Sequence, residues 1–337
     1  MFKRLSWIVV VLALVVPFVV MAQEATQEPM MEVELPEVIP ADLSGDIVTA
    51  GSSTVFPLTE AVANAFLEEG FTGNLTIDSI GTGGGFERFC VAGETDIANA
   101  SRAIRDSEIE SCAALTPART PIEFRVGTDA LAVVVSAEND FVDSLTIEQL
   151  GRIFSGEYVM WSDVDASYPD EAIQLFSPGT DSGTYDYFVE AVLEGGLDLE
   201  GEAAQEAILN AAGIQFSEDD NVLVQGVEGS PYAIGYFGFA YYIEEADNLK
   251  ALSLDGGDGA VLPEAESAED GSYPLARPLY IYSDAGVIAE KPQVGAFINY
   301  YLTNVNDLIT EVGYFPASAE ALNAAKQALS DSMMGGM

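Results

Sequence analysis

Three short stretches hold the residues of this chain best suited to chemistry: GSSTVFP (51–57), GTGGGF (81–86) and PGTDSGTYDYF (178–188). Each follows a β-like run and opens a helical pattern. The first N–H groups of a helix lack partners, and the macrodipole places partial positive charge there, so such a turn can receive an anion. Glycine lets the backbone come close to a ligand, and Ser and Thr hydroxyls add donors. An ordinary Ser/Thr N-cap accounts for the first turn equally well. GTGGGF lacks the trailing Lys-Ser/Thr of a nucleotide P-loop, so ATP binding is not supported. Asp181-Ser182-Gly183-Thr184 resembles the catalytic turn of aspartic proteases, but that chemistry needs two facing aspartates and no second copy occurs. With no histidine in the chain, a serine nucleophile has no imidazole base and a zinc site is short of ligands.

The elements that would position these turns alternate. IVTA (47–50), LTIDSI (75–80), DIANA (96–100), IQLFSP (173–178), KALSL (250–254) and RPLYIYS (277–283) read as strands, and AIGYFGFAYY (233–242) as a strand that turns into an aromatic-rich segment. IEFRVG (122–127) and ALAVVVS (130–136) read as two extended runs separated by Thr128-Asp129. Helical patterns lie between them, and two more, at 291–304 and 317–330, close the chain. Strand–helix alternation predicts an α/β fold with a parallel or mixed sheet covered on both faces. Ligands in such sheets sit at the carboxyl ends of strands, where all three turns fall.

The 337 residues are 49% hydrophobic, enough for one or two packed cores. Lys3 and Arg4 precede an apolar run, Ile8 to Val20, and Val20-Met21-Ala22 follows as a cleavage end, so 1–22 reads as a secretory signal peptide, with an uncleaved anchor as the alternative. Residues 23–45, rich in Glu and Pro, read as a disordered acidic tether, and 331–337 as a flexible tail. In an exported chain the two cysteines, Cys90 and Cys112, favour a disulfide over a thiol nucleophile or metal pair. The formal net charge is −43, and the apolar leader removes two cations and no acid. Such a surface repels nucleic acid and anionic membranes. It also repels an anionic ligand at long range, so an anion site here must work through close, directed donors. Six arginines fall between Arg88 and Arg152.

The ordered set GSSTVFPLTEAV, GTGGGFERFCVAGETDIANASRAI, SPGTDSGTYDYF, SPYAIGYFGFAYY and PLARPLYIYS resembles the phosphate-binding proteins of the phosphate ABC transporter, over nearly all of 46–330. The resemblance implies a type II periplasmic-binding-protein fold: two α/β lobes, two crossing segments serving as a hinge, and an inter-lobe ligand cleft. Lobe I would be 46–127 plus 276–330, and lobe II 128–275. It implies capture of inorganic phosphate outside the cell and delivery to a membrane-embedded ABC permease, by a monomer with no cofactor, no metal and no catalysis. Another tetrahedral oxyanion or a phosphate-sensing role remains open, as does a secreted hydrolase using Asp181 and Ser182.

Carried over by motif, the resemblance implies a ligand set of Ser53, Thr54 and the Val55 N–H, then Thr82, then Ser182, the Gly183 N–H and Thr184. The chain departs at two places. Some members carry Ala-Ser-Asp where Ala100-Ser101-Arg102 stands, and an arginine shortly before the third turn where Ser177-Pro178-Gly179 stands. Arg102 is therefore expected to be the charged donor, its fork suited to two oxygens. Asp181 is the expected acceptor of the proton that phosphate carries and sulfate lacks.

Overall fold

The computed structural model describes residues 32–180 and 182–335. Twelve strands occur among them: β1 (Ile47–Gly51), β2 (Leu75–Ser79), β3 (Ile97–Ala100), β4 (Pro121–Ser136), β5 (Ser144–Thr146), β6 (Gln174–Pro178), β7 (Gln215–Ser217), β8 (Ala233–Gly238), β9 (Leu249–Ala251), β10 (Ser253–Asp255), β11 (Ala260–Val261) and β12 (Ala276–Asp284). Nine form one sheet in the order β2-β1-β3-β12-β4-β8-β6-β7, with β9 also on β4; β11-β10-β5 form a small second sheet. The β1–β2 and β1–β3 pairs are parallel, as are β6–β7 and β6–β8, and the strands between them are antiparallel.

Two long strands carry this sheet across the molecule. β4 runs through 16 residues. Its first half pairs with β12, and its second half pairs with β8 and β9. The sequence pattern splits this run at Thr128-Asp129, yet both residues stay in the ladder, opposite Pro278 and Arg277 of β12. Polar side chains break the apolar pattern there, whereas the backbone pairing is unbroken; Thr128 also exchanges backbone hydrogen bonds of 2.9 and 2.8 Å with Phe315.

The cores divide along these strands. Ile47, Leu58, Phe66, Phe124, Ile281 and Phe297 belong to one buried cluster, and Phe86, Phe89, Ala98 and Tyr282 to a second on the other face of the same half. Beyond Asp129, Leu131, Val133 and Val135 face a third cluster with Trp161, Phe188 and Tyr236, while Ala132 and Val134 face a fourth with Phe176 and Phe237. Successive β4 residues thus bury opposite faces, as a strand covered on both sides requires. Each fully buried Phe or Val contributes roughly 1.5–3 kcal/mol of transfer free energy. The cysteines form a disulfide, Cys90–Cys112, inside the second cluster.

Three expectations change. Val33–Gly45 is ordered against the first lobe rather than tethering it: Leu35, Val38 and Leu43 pack on its core, Pro40 is buried, and Asn299 Nδ2 donates to the Pro36 carbonyl at 2.9 Å. The acidic residues of this stretch alternate with apolar ones, so it lays one face on the protein. At the other end the last helix runs Ala319–Gly335, so the chain is helical well beyond residue 330, with Ser332 buried. Residues 255–274 (DGGDGAVLPEAESAEDGSYP) read from their composition as a loop, yet they contain β11 and a helix, Ala265–Glu269. The segment 1–22, residues 23–31 of the expected tether, Asp181 and the last two residues of the expected tail lie outside the described residues.

Candidate functional site

The carboxyl ends of β1, β2, β3 and β6 converge. After β1 the chain passes Ser52, Ser53 and Thr54 into the helix Phe56–Glu68. Gly51 lies so close to β3 that a Cβ on it would stand 2.1 Å from the Asn99 carbonyl oxygen, and its φ is +149°. After β2 the second turn is itself a helix, Gly81–Phe86. A Cβ on Gly85 would come within 2.6 Å of the Gly51 Cα, so part of this glycine run serves helix–strand packing. Gly83 faces open space beside the cleft.

A cleft of about 650 Å³ is lined by Ser52, Ser53, Thr54, Gly81, Thr82, Gly83, Ser101, Arg102, Arg105, Arg277 and Tyr280 on one side, and by Asp186, Tyr187 and Glu190 on the other. A second cavity of about 470 Å³ lies beyond Ser53, lined by Ser182, Gly183, Thr184, Ser217, Glu218, Asp220 and Tyr314. Ser53 therefore stands between the two spaces.

The expected ligand residues are placed as follows. Ser53 donates its hydroxyl to Asp186 Oδ2 at 3.3 Å. Thr54 is buried; its carbonyl accepts from the Tyr314 hydroxyl at 2.8 Å and its Oγ1 accepts from Arg277 Nη2. Val55 is wholly buried in the first core and its N–H points to Ser52 Oγ at 3.4 Å. Thr82 Oγ1 accepts from the Ser101 N–H at 3.2 Å, joining the second turn to the end of β3. Ser182 caps the helix Gly183–Phe188, accepting from the Thr184 N–H at 3.2 Å. Gly183 lies against the first turn: a Cβ there would be 3.3 Å from Thr54 N and Cα. First and third turns thus meet face to face, while Ser182 and Thr184 open on the second cavity.

Arg102 lines the main cleft, held by Glu108 as a two-point fork of 2.9 and 2.8 Å, with its guanidinium 5.5 Å above the Phe86 ring. Glu108 also accepts from the Arg105 N–H at 2.8 Å. The acid that fixes Arg102 is thereby itself fixed at the start of the helix Asp106–Ala114. Three of the other arginines in that region pair with acids away from the cleft: Arg88 with Asp78, Arg125 with Glu269, and Arg152 with Glu148 and Glu157.

Two residues escaped the sequence reading. Arg277 is 7% exposed; Nε donates to Asp129 Oδ2 at 3.0 Å and Nη2 to the Gly183 carbonyl at 3.2 Å, and its guanidinium lies 3.7 Å from the Tyr187 ring centroid. The available signal was a lone arginine inside the apolar strand run PLARPLYIYS. Asp186 stands four residues after Ser182, on the cleft side of the helix that the third turn opens. Partial burial pushes its pKa up, and the Ser53 hydroxyl and Arg277 oppose that rise. Its signal was the spacing of an acid one helical turn beyond the hydroxyl.

A cleft between two α/β lobes joined by crossing strands, walled by hydroxyls, helix-opening turns and three arginines, defines a binding protein for a small anion. The comparisons with known proteins agree. A family model described as a PBP superfamily domain matches residues 37–305. Protein SphX of Synechococcus elongatus is 44% identical over 296 residues, 86% of this chain and 83% of that one. The phosphate-binding protein PstS of Staphylococcus haemolyticus is 35% identical over 274 residues, 81% of each chain. The crystal structure of a possible phosphate binding protein from Planctomyces limnophilus superposes with a TM-score of 0.78 at 37% identity, over 86% of this chain and 99% of that chain. The chain belongs to the PBP superfamily and, within it, to the family of SphX and the PstS phosphate-binding proteins.

Proposed function

We propose that the protein captures inorganic phosphate outside the cell and delivers it to the membrane permease of an ABC transporter. The observation that carries this reading is the meeting of hydroxyl-rich turns from both lobes, with Ser53, Thr54 and Thr82 on one side and Gly183 and Asp186 on the other, beside Arg102 and Arg277. A tetrahedral oxyanion presents acceptors in all directions, and donors from two lobes match it only when the lobes close.

In this reading Ser53, Thr54 and Thr82, which line the main cleft, disperse the ion's charge over directed hydrogen bonds, and Ser182, the Gly183 N–H and Thr184, which open on the neighbouring cavity beyond Ser53 in this structure, join them as the lobes close. Arg102 adds a charged fork. Long-range repulsion from the acidic surface is overcome at contact distance, because charge-assisted hydrogen bonds strengthen in a water-poor cleft. The Ser53 hydroxyl, given to Asp186 in this structure, turns to the ion on binding. Asp186 then accepts the proton that phosphate retains near neutral pH, the role expected of Asp181 from the sequence. Sulfate has no such proton and would face an unpaired carboxylate.

No bond is made or broken in this mechanism. Export is read from the leader-like opening sequence and from the disulfide. Among the described residues no helix is long and apolar enough to cross a membrane. Titration calorimetry with phosphate, sulfate and arsenate at two pH values tests the reading. Heat with phosphate and none with sulfate is expected; no heat with phosphate overturns it. A phosphate ester left intact after prolonged incubation separates binding from hydrolysis.

A further inference from the structure

Arg277 reaches both lobes and the crossing strands with a single side chain. It sits on β12 directly opposite Asp129 of β4. Nε is committed to Asp129, and Nη2 is shared between Thr54 Oγ1 of the first turn and the Gly183 carbonyl of the third. The Tyr187 ring covers the guanidinium at 3.7 Å, and the side chain is 8% exposed. The group is held by ladder, ring and carboxylate, so its donors are fixed in direction.

Direction matters because arginine can only donate. A threonine hydroxyl has one proton and two acceptor sites. Toward Arg277, Thr54 Oγ1 can act only as acceptor, and its proton is left for another partner. Thr54 also lines the anion cleft. The same nitrogen that sets this polarity reaches the carbonyl of Gly183, the residue against which Thr54 packs. Lysine, a single point charge on a flexible stem, cannot reproduce the Asp129 contact, the shared nitrogen and the ring stacking at once.

We propose that Arg277 is a positioning residue that acts through Thr54: it forces the Thr54 hydroxyl to donate into the cleft, and it ties that hydroxyl to the third turn, so that grip on the ion and closure of the lobes are one event. The proposal rests on the reading of the cleft as a phosphate site. Its chemistry differs from that of a direct ligand, because the benefit of Arg277 should vanish once the Thr54 hydroxyl is gone.

A double-mutant cycle on the full chain tests it, with inorganic phosphate as the probe in calorimetry and small-angle X-ray scattering as the measure of closure. Arg277→Gln and Thr54→Val should each weaken phosphate binding by about tenfold or more, the scale of a lost charge-assisted hydrogen bond. The double variant should be no more than about twofold weaker than Thr54→Val alone. Phosphate at saturation should contract wild type and leave Arg277→Gln partly open. Losses that multiply, or an Arg277→Gln protein that binds and contracts like wild type, overturn the proposal. Arg277→Gln strands the buried Asp129, so Arg277→Gln with Asp129→Asn restores an amide pair there and carries the same expectation. Arg277→Lys retains a charge for Asp129 and should show the same loss of coupling to Thr54. Absence of phosphate binding by wild type would instead defeat the phosphate reading itself.

Discussion

The Ser53 hydroxyl donates to Asp186 Oδ2 at 3.3 Å, joining the first turn of one lobe to the helix of the other. An acceptor-only carboxylate inside an anion cleft is unfavourable unless the anion brings a proton. Asp186→Asn should therefore reduce the preference for phosphate over sulfate by at least tenfold, roughly 1.4 kcal/mol, read by competition calorimetry. Unchanged selectivity would remove Asp186 from the site. Burial raises the pKa of Asp186, so its carboxylate protonates at a higher pH than an ordinary aspartate. As pH falls through that raised pKa the acceptor is lost, and discrimination should narrow in wild type but stay flat in Asp186→Asn.

Arg102 is presented to the cleft by Glu108. Arg102→Ala should weaken phosphate binding by about 2 kcal/mol, near thirtyfold, the range for a charged hydrogen bond. Arg102→Lys should recover part of that loss, because charge returns without the fork. Binding by Arg102→Ala equal to wild type would show that the guanidinium serves only Glu108.

Gly183 is where the lobes touch. A methyl there would lie 3.3 Å from Thr54 N and Cα and 3.4 Å from Ser53 C, all backbone. Gly183→Ala should hold the lobes slightly apart and weaken phosphate binding by about 1–2 kcal/mol, on the scale of overpacking. The thermal midpoint should not fall, because alanine suits a helix start better than glycine. A fall in both would mark a fold defect rather than a closure defect.

Asp220 opens the helix Asp220–Glu228 and lines the second cavity. Burial, and then the charges of Asp219 and Glu218, push its pKa up to about 6. A raised pKa favours the protonated native state, so its contribution is full below the unfolded value of about 4 and is lost as pH rises through about 6. Asp220→Asn should raise stability near pH 7.5 by about 1 kcal/mol, a figure reduced for the solvent contact the residue keeps, and change little near pH 3.5. Urea denaturation at the two pH values measures both.

The Cys90–Cys112 bridge closes a loop of 22 residues separation inside a buried aromatic cluster. On the loop-entropy model its loss costs about 3 kcal/mol. The Cys90→Ser, Cys112→Ser variant should unfold at lower urea yet bind phosphate with nearly native affinity, since neither cysteine lines the cleft.

The local features of this protein were legible from its residues. Strand–helix alternation is written in hydrophobic periodicity, and the placement of Ser53, Thr82 and Ser182 at strand ends follows from it. The cysteine pair needed only its count and a leader-like pattern in the opening residues, from which export is read. Arg102 stood out because an arginine replaces an expected acid. All of these are properties of a few neighbouring residues.

What only the tertiary structure decided depends on residues far apart. Arg277 meets Thr54 across 223 positions, and Asp186 meets Ser53 across 133, and no periodicity encodes such encounters. Thr128 and Asp129 read as a break because side-chain pattern reports burial, while the strand continues through backbone pairing with β12. Residues 23–45 read as a tether because they are rich in Glu and Pro, and the order of Val33–Gly45 comes from a surface offered by helices near the other end of the chain. The sequence by itself determined an α/β chain with three donor turns. Long-range pairing of β4 with β12 decided that the first and third turns face each other and that a buried arginine joins them.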